Sequence, residues 1–257
     1  MKKEESRFAE STLFEGMTSI RAVLSAMDSG ISDRRIEKIL VDRSREKSRA
    51  KELGWLRYKA GEYGFAIESV DADNIESVTT GNTHGGIIAQ CSDRTIPALT
   101  EADVKPDEFY VMIEGIEDPY NFGYALRSLF ACGADGIVLS PRNWMTAAGV
   151  VCRSSAGASE MLPIYICDPL ESSAYFKSRG YRVLCAGIRD SVSSFDCDMK
   201  KPLYLIVGGE KRGISAALLE TADEVVRIDY GREFGGSLSA ASAASMLGYE
   251  VMRQNRK

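Results

Sequence analysis

The chain has one histidine, His84, in 257 residues. Ser–His and Cys–His nucleophilic schemes need an imidazole base, so they reduce to arrangements around that single side chain. Zinc sites, built from closely spaced His and Cys, have as little to draw on. The six cysteines (Cys91, Cys132, Cys152, Cys167, Cys185, Cys197) are scattered and form no C-x-x-C pair. They read as free, mostly buried thiols of a reducing compartment, which makes a cytoplasmic protein without metal the expectation. No apolar run approaches the roughly 18 residues of a membrane span. The start, MKKEESRFAE, lacks the apolar stretch of a secretion signal. A surplus of positive charge is also missing. With 32 Lys and Arg against 37 Asp and Glu, the net charge is −5, which excludes indiscriminate coating of nucleic acid or anionic membrane.

What is present is ordinary globular composition, 44% hydrophobic and 27% charged. The length suits one large domain or two modest ones. Residues 1–15 are polar and read as a frayed lead-in. Ile20, Val23, Leu24 and Met27 then fall at helical spacing, predicting an amphipathic helix that stops near Gly30. Ile36–Val41 predicts a strand, residues 44–60 a helix with Ala50, Leu53, Leu56 and Ala60 on one side, and Phe65–Val70 and Gly86–Gln90 two more strands. The result is a small α/β unit over residues 1–91. Pro97, Pro106 and several acids mark a linker over 92–107.

From residue 108 to 257 strand, loop and helix alternate, which predicts a parallel sheet wrapped by helices. Strands are expected at Phe109–Ile113, Gly136–Ser140, Arg182–Ala186, Leu203–Val207 and Val225–Ile228, with helices at Tyr124–Ala131 and Ser237–Gln254. The continuous apolar run LYLIV at 203–207 suits a strand covered on both faces.

Charge is unevenly placed. Between Arg34 and Lys59 ten basic residues face four acidic ones, a local surplus of six that leaves the remainder of the chain at −11. Such a run is either a solvated surface laced with ion pairs or a face for phosphates.

Three loops follow strands, where parallel sheets bind ligands. In EGIEDPYNFGYALRSLFACGADG (114–136), Asp118-Pro119 and Asn121 build a turn, and Arg127 is expected on the first turn of the next helix, aimed back at the loop. The plain alternative is that Asp118 caps the helix and pairs with Arg127. In VGGEKRGIS (207–215), glycines let main-chain N–H groups face a polar ligand. The Gly208–Gly213 spacing is that of a phosphate loop, but Ile214 stands where its lysine belongs, so a nucleoside-triphosphatase is excluded. No GxGxxG follows the first strand of this region, which disfavours a dinucleotide fold. In RIDYGREFGGSLSAASAASMLGYE (227–250), a glycine-bearing loop leads into a helix that opens on small residues.

In this order and spacing, residues 109–254 resemble the SpoU (TrmH) family of RNA ribose methyltransferases, within the knotted SPOUT class. DPYNFGYALR, GGEKRGIS and RIDYGREFGGSLSAASA resemble its three motifs, and SSAGA at 154–158 a further family stretch. FEGMTSIRAVLSAM and HGGIIA resemble the two ends of the small ribosomal-protein-like substrate-binding domain often placed ahead of it.

The resemblance implies a small α/β RNA-binding domain followed by a parallel-sheet α/β-knot domain with a trefoil knot, a homodimer, and methyl transfer from S-adenosylmethionine to a ribose 2′-hydroxyl. The implied partner is structured RNA, ribosomal RNA ahead of transfer RNA. It marks Asn121 and Arg127 as catalytic positions, with Glu210 in support and Ser239 where the family carries Asn. Gly208, Ile228, Leu238, Ala186 and Ser237 become cofactor-lining positions. Arg34, Arg35, Arg43, Arg45 and His84 become candidates to face RNA. Arg127 is either a proton acceptor beside the target phosphate or, since arginine normally stays protonated, an orienting group. The family's Ile-Pro-Met reads Ile228-Asp229-Tyr230 here, and its His-Gln-Gly reads His84-Gly85-Gly86. The alternatives are transfer-RNA methylation and a non-catalytic RNA-binding protein that keeps the fold.

Overall fold

The computed structural model describes residues 12–79, 82–141, 147–209 and 213–256. They form two compact units, one of residues up to 95 together with the described part of 143–161, the other of 96–142 and 162–257.

The first unit carries a four-stranded sheet of β1 (Leu13–Glu15), β2 (Ile36–Asp42), β3 (Ala66–Val70) and β4 (Ile87–Cys91), in the order β1-β4-β2-β3. β4 runs antiparallel to both its neighbours, and β2 pairs with β3 in parallel. The expected lead-in over 1–15 does not extend to β1, where Phe14 points inward and is fully buried; residues 1–11 lie outside the described residues. Helix α1 (Gly16–Ser29) buries Ile20, Val23, Leu24 and Met27 and ends at Gly30, which takes the left-handed conformation. The expected helix over 44–60 starts later, as α2 (Ala50–Tyr63). Asp42 accepts from the Ser44 N–H at 2.8 Å and caps a 3-10 turn over Arg43–Arg45 instead. Leu53 and Leu56 are buried as the spacing requires, whereas Ala50 is exposed. After α3 (Ala72–Glu76) and β4, two further helices belong to this unit, α5 (Ala148–Ser154) and α6 (Ala158–Met161), drawn from the stretch assigned by sequence to 108–257. Cys152 joins the core formed by Phe14, Ile20, Leu24, Ile39 and Leu56.

The second unit is a seven-stranded sheet of β5 (Phe109–Glu114), β6 (Gly136–Leu139), β7 (Ile164–Ile166), β8 (Arg182–Ala186), β9 (Val192–Ser193), β10 (Leu203–Gly208) and β11 (Glu224–Arg227). Its order is β7-β6-β5-β10-β8-β11-β9, and every pairing is parallel. Leu203–Val207 in the central β10 are all buried, as a strand covered on both faces must be. From β5 the chain steps to β6 and β7 on one side and then crosses to β8 on the other, and β10 later enters between β5 and β8. Strand order therefore reverses at β5 and β10, and their carboxyl ends flank the crevice where such sheets bind ligands.

Four helices complete the unit: α4 (Pro119–Ala131), α7 (Pro169–Ser178), α8 (Ala216–Leu219) and α9 (Ala240–Gln254). α4 begins five residues before the expected Tyr124. Asp118-Pro119 is a cap followed by a first-turn proline, with the Asp118 carboxylate accepting from the Tyr120 N–H at 3.0 Å. Within 92–107, Leu99 is fully buried in the second unit's core, beside Tyr110, Phe176 and Tyr204. The Phe176 and Tyr204 rings stack with centroids 4.1 Å apart.

Candidate active site and nucleic-acid interface

The carboxyl edge of the second sheet gathers the predicted cofactor positions from three adjacent strands. Gly208 ends β10 opposite Glu114, the last residue of β5; Ala186 ends β8; Ile228 directly follows β11. The glycines at this edge are required by contact. A Cβ on Gly208 would lie 2.6 Å from the Gly213 carbonyl carbon and 2.7 Å from the Ile214 nitrogen, and one on Gly209 would overlap the Gly115 carbonyl. Gly213 lies against the end of β10, its N–H donating to the Gly209 carbonyl at 3.1 Å. Beside this cradle, Glu114 Oε2 is buried with no hydrogen-bond partner among the described residues. Glu210, predicted to support catalysis, lies outside the described residues.

The loop after β11 is the second wall. Asp229, the charged departure from the family pattern, accepts from Ser193 Oγ and from Arg227 Nε at 2.8 Å. Those two bonds, the Ser193 hydroxyl first, hold its carboxyl below the usual range. Its charge is thus spent within the unit. Leu238 is half-buried and its N–H donates to the Tyr230 hydroxyl at 3.3 Å, while Ser237 is exposed. Ser239 is the N-cap of α9, its Oγ accepting from the Ser242 N–H at 3.2 Å.

Asn121 and Arg127 both lie on α4, but not as expected. Because the helix starts at Pro119, Arg127 is its ninth residue rather than part of its first turn. Six positions apart, the two side chains leave the helix in different directions. Arg127 is exposed and has no ion-pair partner among the described residues; Asp118 is occupied as the cap. Arg127 shares its outward face with Tyr120 and Tyr124, both exposed.

In the first unit, Arg35, Arg43 and Arg45 are exposed, Arg43 facing Asp71 and Arg45 facing Asp42. Arg34 must be removed from the RNA-facing set. It is 2% exposed, its Nε donates to Glu160 Oε2 at 3.0 Å, its Nη1 donates to the Ser92 carbonyl at 2.6 Å, and the Phe14 ring lies 4.7 Å away. His84 is also buried, yet it lines a cavity of about 390 Å³ together with the start of α1, Arg49 and Arg153. Sequence reading missed both arginines. Arg49 stood unmarked within the basic run, and nothing in the sequence pointed to Arg153, more than a hundred residues away.

Among the described residues no group of three or more His, Cys, Asp or Glu could hold a metal ion, and no helix is long and apolar enough to cross a membrane.

A parallel sheet whose strand order reverses at β5 and β10, with glycine loops packed at that carboxyl edge, defines an α/β protein of the kind that binds ligands there. Comparison narrows the class. The SpoU rRNA Methylase family matches residues 108–249, and the domain described as RNA 2′-O ribose methyltransferase substrate binding matches 20–97. The chain belongs to the SpoU rRNA methylase family of RNA methyltransferases. It is 29% identical to a putative TrmH-family tRNA/rRNA methyltransferase of Bacillus subtilis, over 87% of this chain and 90% of that one. It is 29% identical to an uncharacterized tRNA/rRNA methyltransferase of Mycobacterium avium, of whose length it spans 65%. The fold is shared with the SpoU methyltransferase AviRb of Streptomyces viridochromogenes, solved with AdoMet (TM-score 0.78, 21% identity, 98% and 97% of the two chains). It is shared also with an AdoMet-bound rRNA methyltransferase of Sinorhizobium meliloti (TM-score 0.76, 22% identity, 97% and 93%).

Proposed function

We propose that the protein transfers a methyl group from S-adenosylmethionine to a ribose 2′-hydroxyl of structured RNA, with ribosomal RNA ahead of transfer RNA as the substrate. The observation that carries this is the strand-end cradle. At Gly208 and Gly209 the main chains of the strand-end loops pack directly on one another at the carboxyl edge of the sheet, and Glu114 Oε2, buried with no hydrogen-bond partner among the described residues, is an acceptor suited to a cationic or donor-bearing ligand. S-adenosylmethionine is such a ligand, and when bound it supplies an already activated methyl group.

The chain's own residues have the remaining work. The main chain at Gly208, Ile228 and Leu238 would hold the cofactor, with Ala186 and Ser237 at its margin. Arg127, exposed and without a carboxylate partner among the described residues, would hold the phosphate next to the reacting ribose. Arginine keeps its proton, so this orienting role fits it better than that of a base. Asn121, half-buried on the first turn of α4, would position the hydroxyl. Such alignment of reactants is worth several kcal/mol of barrier. Ser239 fixes the start of α9 through its cap.

A homodimer and the trefoil knot belong to the same proposal, as does a cytoplasmic location. α4 exposes Tyr120, Tyr124 and Phe130, and α9 exposes Met246, Tyr249 and Met252, the kind of apolar surface that a second copy covers.

The test is incubation with methyl-labelled cofactor and, separately, ribosomal and transfer RNA lacking the modification. Label in ribose of ribosomal RNA is expected. Label in transfer RNA alone would reverse the substrate order, and no label in either would refute the activity.

A further inference from the structure

The cavity of the first unit is bordered by hydrogen-bond donors. Glu15, at the N-cap of α1, makes no side-chain capping bond, so the first-turn amides of Gly16, Met17 and Thr18 keep their donors at the cavity's edge. His84 is 7% exposed and its Nδ1 accepts from the Gly86 N–H at 3.1 Å. The neutral ring therefore carries its proton on Nε2, which has no partner among the described residues.

Two guanidinium groups flank these donors. Arg49 donates from Nε to the Gly85 carbonyl at 2.9 Å and pairs with Glu52; Arg153 pairs with Glu15. Gly85, at φ +61°, is what admits Arg49, because a Cβ there would overlap the guanidinium. Each carboxylate at the cavity is thus held by an arginine, which fixes the fork and leaves further guanidinium N–H groups to donate. The remaining unmet groups ask for an acceptor-rich anion. The volume, about 390 Å³, exceeds what an isolated phosphate fills and lies in the range of small-molecule pockets.

We propose that this cavity holds one unpaired nucleotide of the RNA substrate, its phosphate at the start of α1 between Arg49 and Arg153. That the ligand is RNA rests on the function proposed above; the site itself rests on the donor set. A paired nucleotide could not enter, since its base is stacked in the helix. The first unit would thereby select RNA with an extruded or single-stranded nucleotide.

The experiment measures anisotropy of the full chain with a fluorescent single-stranded oligoribonucleotide, the same sequence as a blunt duplex, and free nucleoside monophosphate as competitor. The variants are Arg49→Gln, Arg153→Gln and Thr18→Asp. Thr18 is exposed on the first turn of α1, where an added carboxylate favours the helix but opposes a bound phosphate, so this variant stays informative even if an arginine variant unfolds. Each is expected to weaken single-strand binding by about tenfold, to lower its salt dependence by about one phosphate for the arginine variants, and to leave S-adenosylmethionine binding by calorimetry unchanged. Competition by free monophosphate would indicate a pocket for a single nucleotide whether free or within a chain; binding of the oligonucleotide without such competition would require the neighbouring nucleotides. If Thr18→Asp and the folded arginine variants bind single strands within twofold of the parent protein, or if duplex binds as well as single strand, the pocket is overturned. Loss of RNA binding in a protein that never methylates RNA would keep the pocket and refute the activity; methylation with unaffected variants would do the reverse.

Discussion

Replacing Glu160 by alanine would leave the Arg34 guanidinium buried without its counter-charge. The pair is enclosed, at 2% and 3% exposure, with Nε and Oε2 3.0 Å apart. Removing one partner of a buried ion pair costs about 3–5 kcal/mol, because the other charge stays in a poorly solvating interior. Here the Ser92 carbonyl and the Phe14 ring still face the guanidinium, which places the expected loss near the lower end, about 3 kcal/mol. At about 2–4 °C per kcal/mol for a chain of this size, the melting temperature should fall by roughly 6–12 °C. Removing both charges at once, as in Arg34→Met with Glu160→Leu, substitutes apolar side chains and should recover most of that loss. Thermal melts by circular dichroism and urea titrations of Glu160→Ala, of Arg34→Met and Glu160→Leu singly, and of the double variant give the comparison and close the cycle. A fall below about 2 °C for Glu160→Ala, or a double variant as unstable as the single one, would refute the reasoning. Glu160 lies on α6, shortly after the α5 helix that carries Arg153, so the same variant should also weaken RNA binding while S-adenosylmethionine binding persists.

Arg127→Ala should abolish methyl transfer while leaving cofactor affinity within a few-fold, checked by labelled transfer beside calorimetry; unchanged transfer would remove Arg127 from the site. Ser239→Ala loses an N-cap and should cost about 1 kcal/mol, whereas Ser239→Asn keeps a good cap and should melt like the parent protein. Burial pushes the Cys91, Cys185 and Cys197 thiols up to about 12. They should resist a thiol reagent at neutral pH until denaturant exposes them, and rapid native-state labelling at these positions would contradict the packing. The Ser44 hydroxyl, hydrogen-bonded to Asp42, holds that carboxyl below its usual range. Its stabilisation is therefore complete above the unfolded value of about 3.9 and is lost as pH falls through the lower folded value. The stability gap between the parent protein and Asp42→Asn should accordingly stay constant near neutrality and close on acidification.

Much of the second unit was legible because its signals are local. The LYLIV run is buried in the central strand, and the three loops that resembled family motifs do follow β5, β10 and β11. Helix starts were misplaced where one residue type serves two purposes: Asp118-Pro119 reads equally as a turn and as a cap with a first-turn proline, and only the chain's path past Tyr120 separates them.

The basic run shows where local information ends. Arg34 and Arg35 are adjacent and chemically identical in sequence, yet one is buried against Glu160 and the other is exposed, because the deciding partner lies 126 positions away. The cavity is the same case on a larger scale. Residues near 16, 49, 84 and 153 share no motif, and their donors converge only after α5 joins the first unit. Composition and periodicity thus determined the fold class, and the order of the three motifs carried the resemblance to the family, both of which rest on short stretches of chain. Which arginines can meet a phosphate, and which are spent inside, was decided by tertiary structure, since burial and charge pairing depend on neighbours that the sequence places far apart.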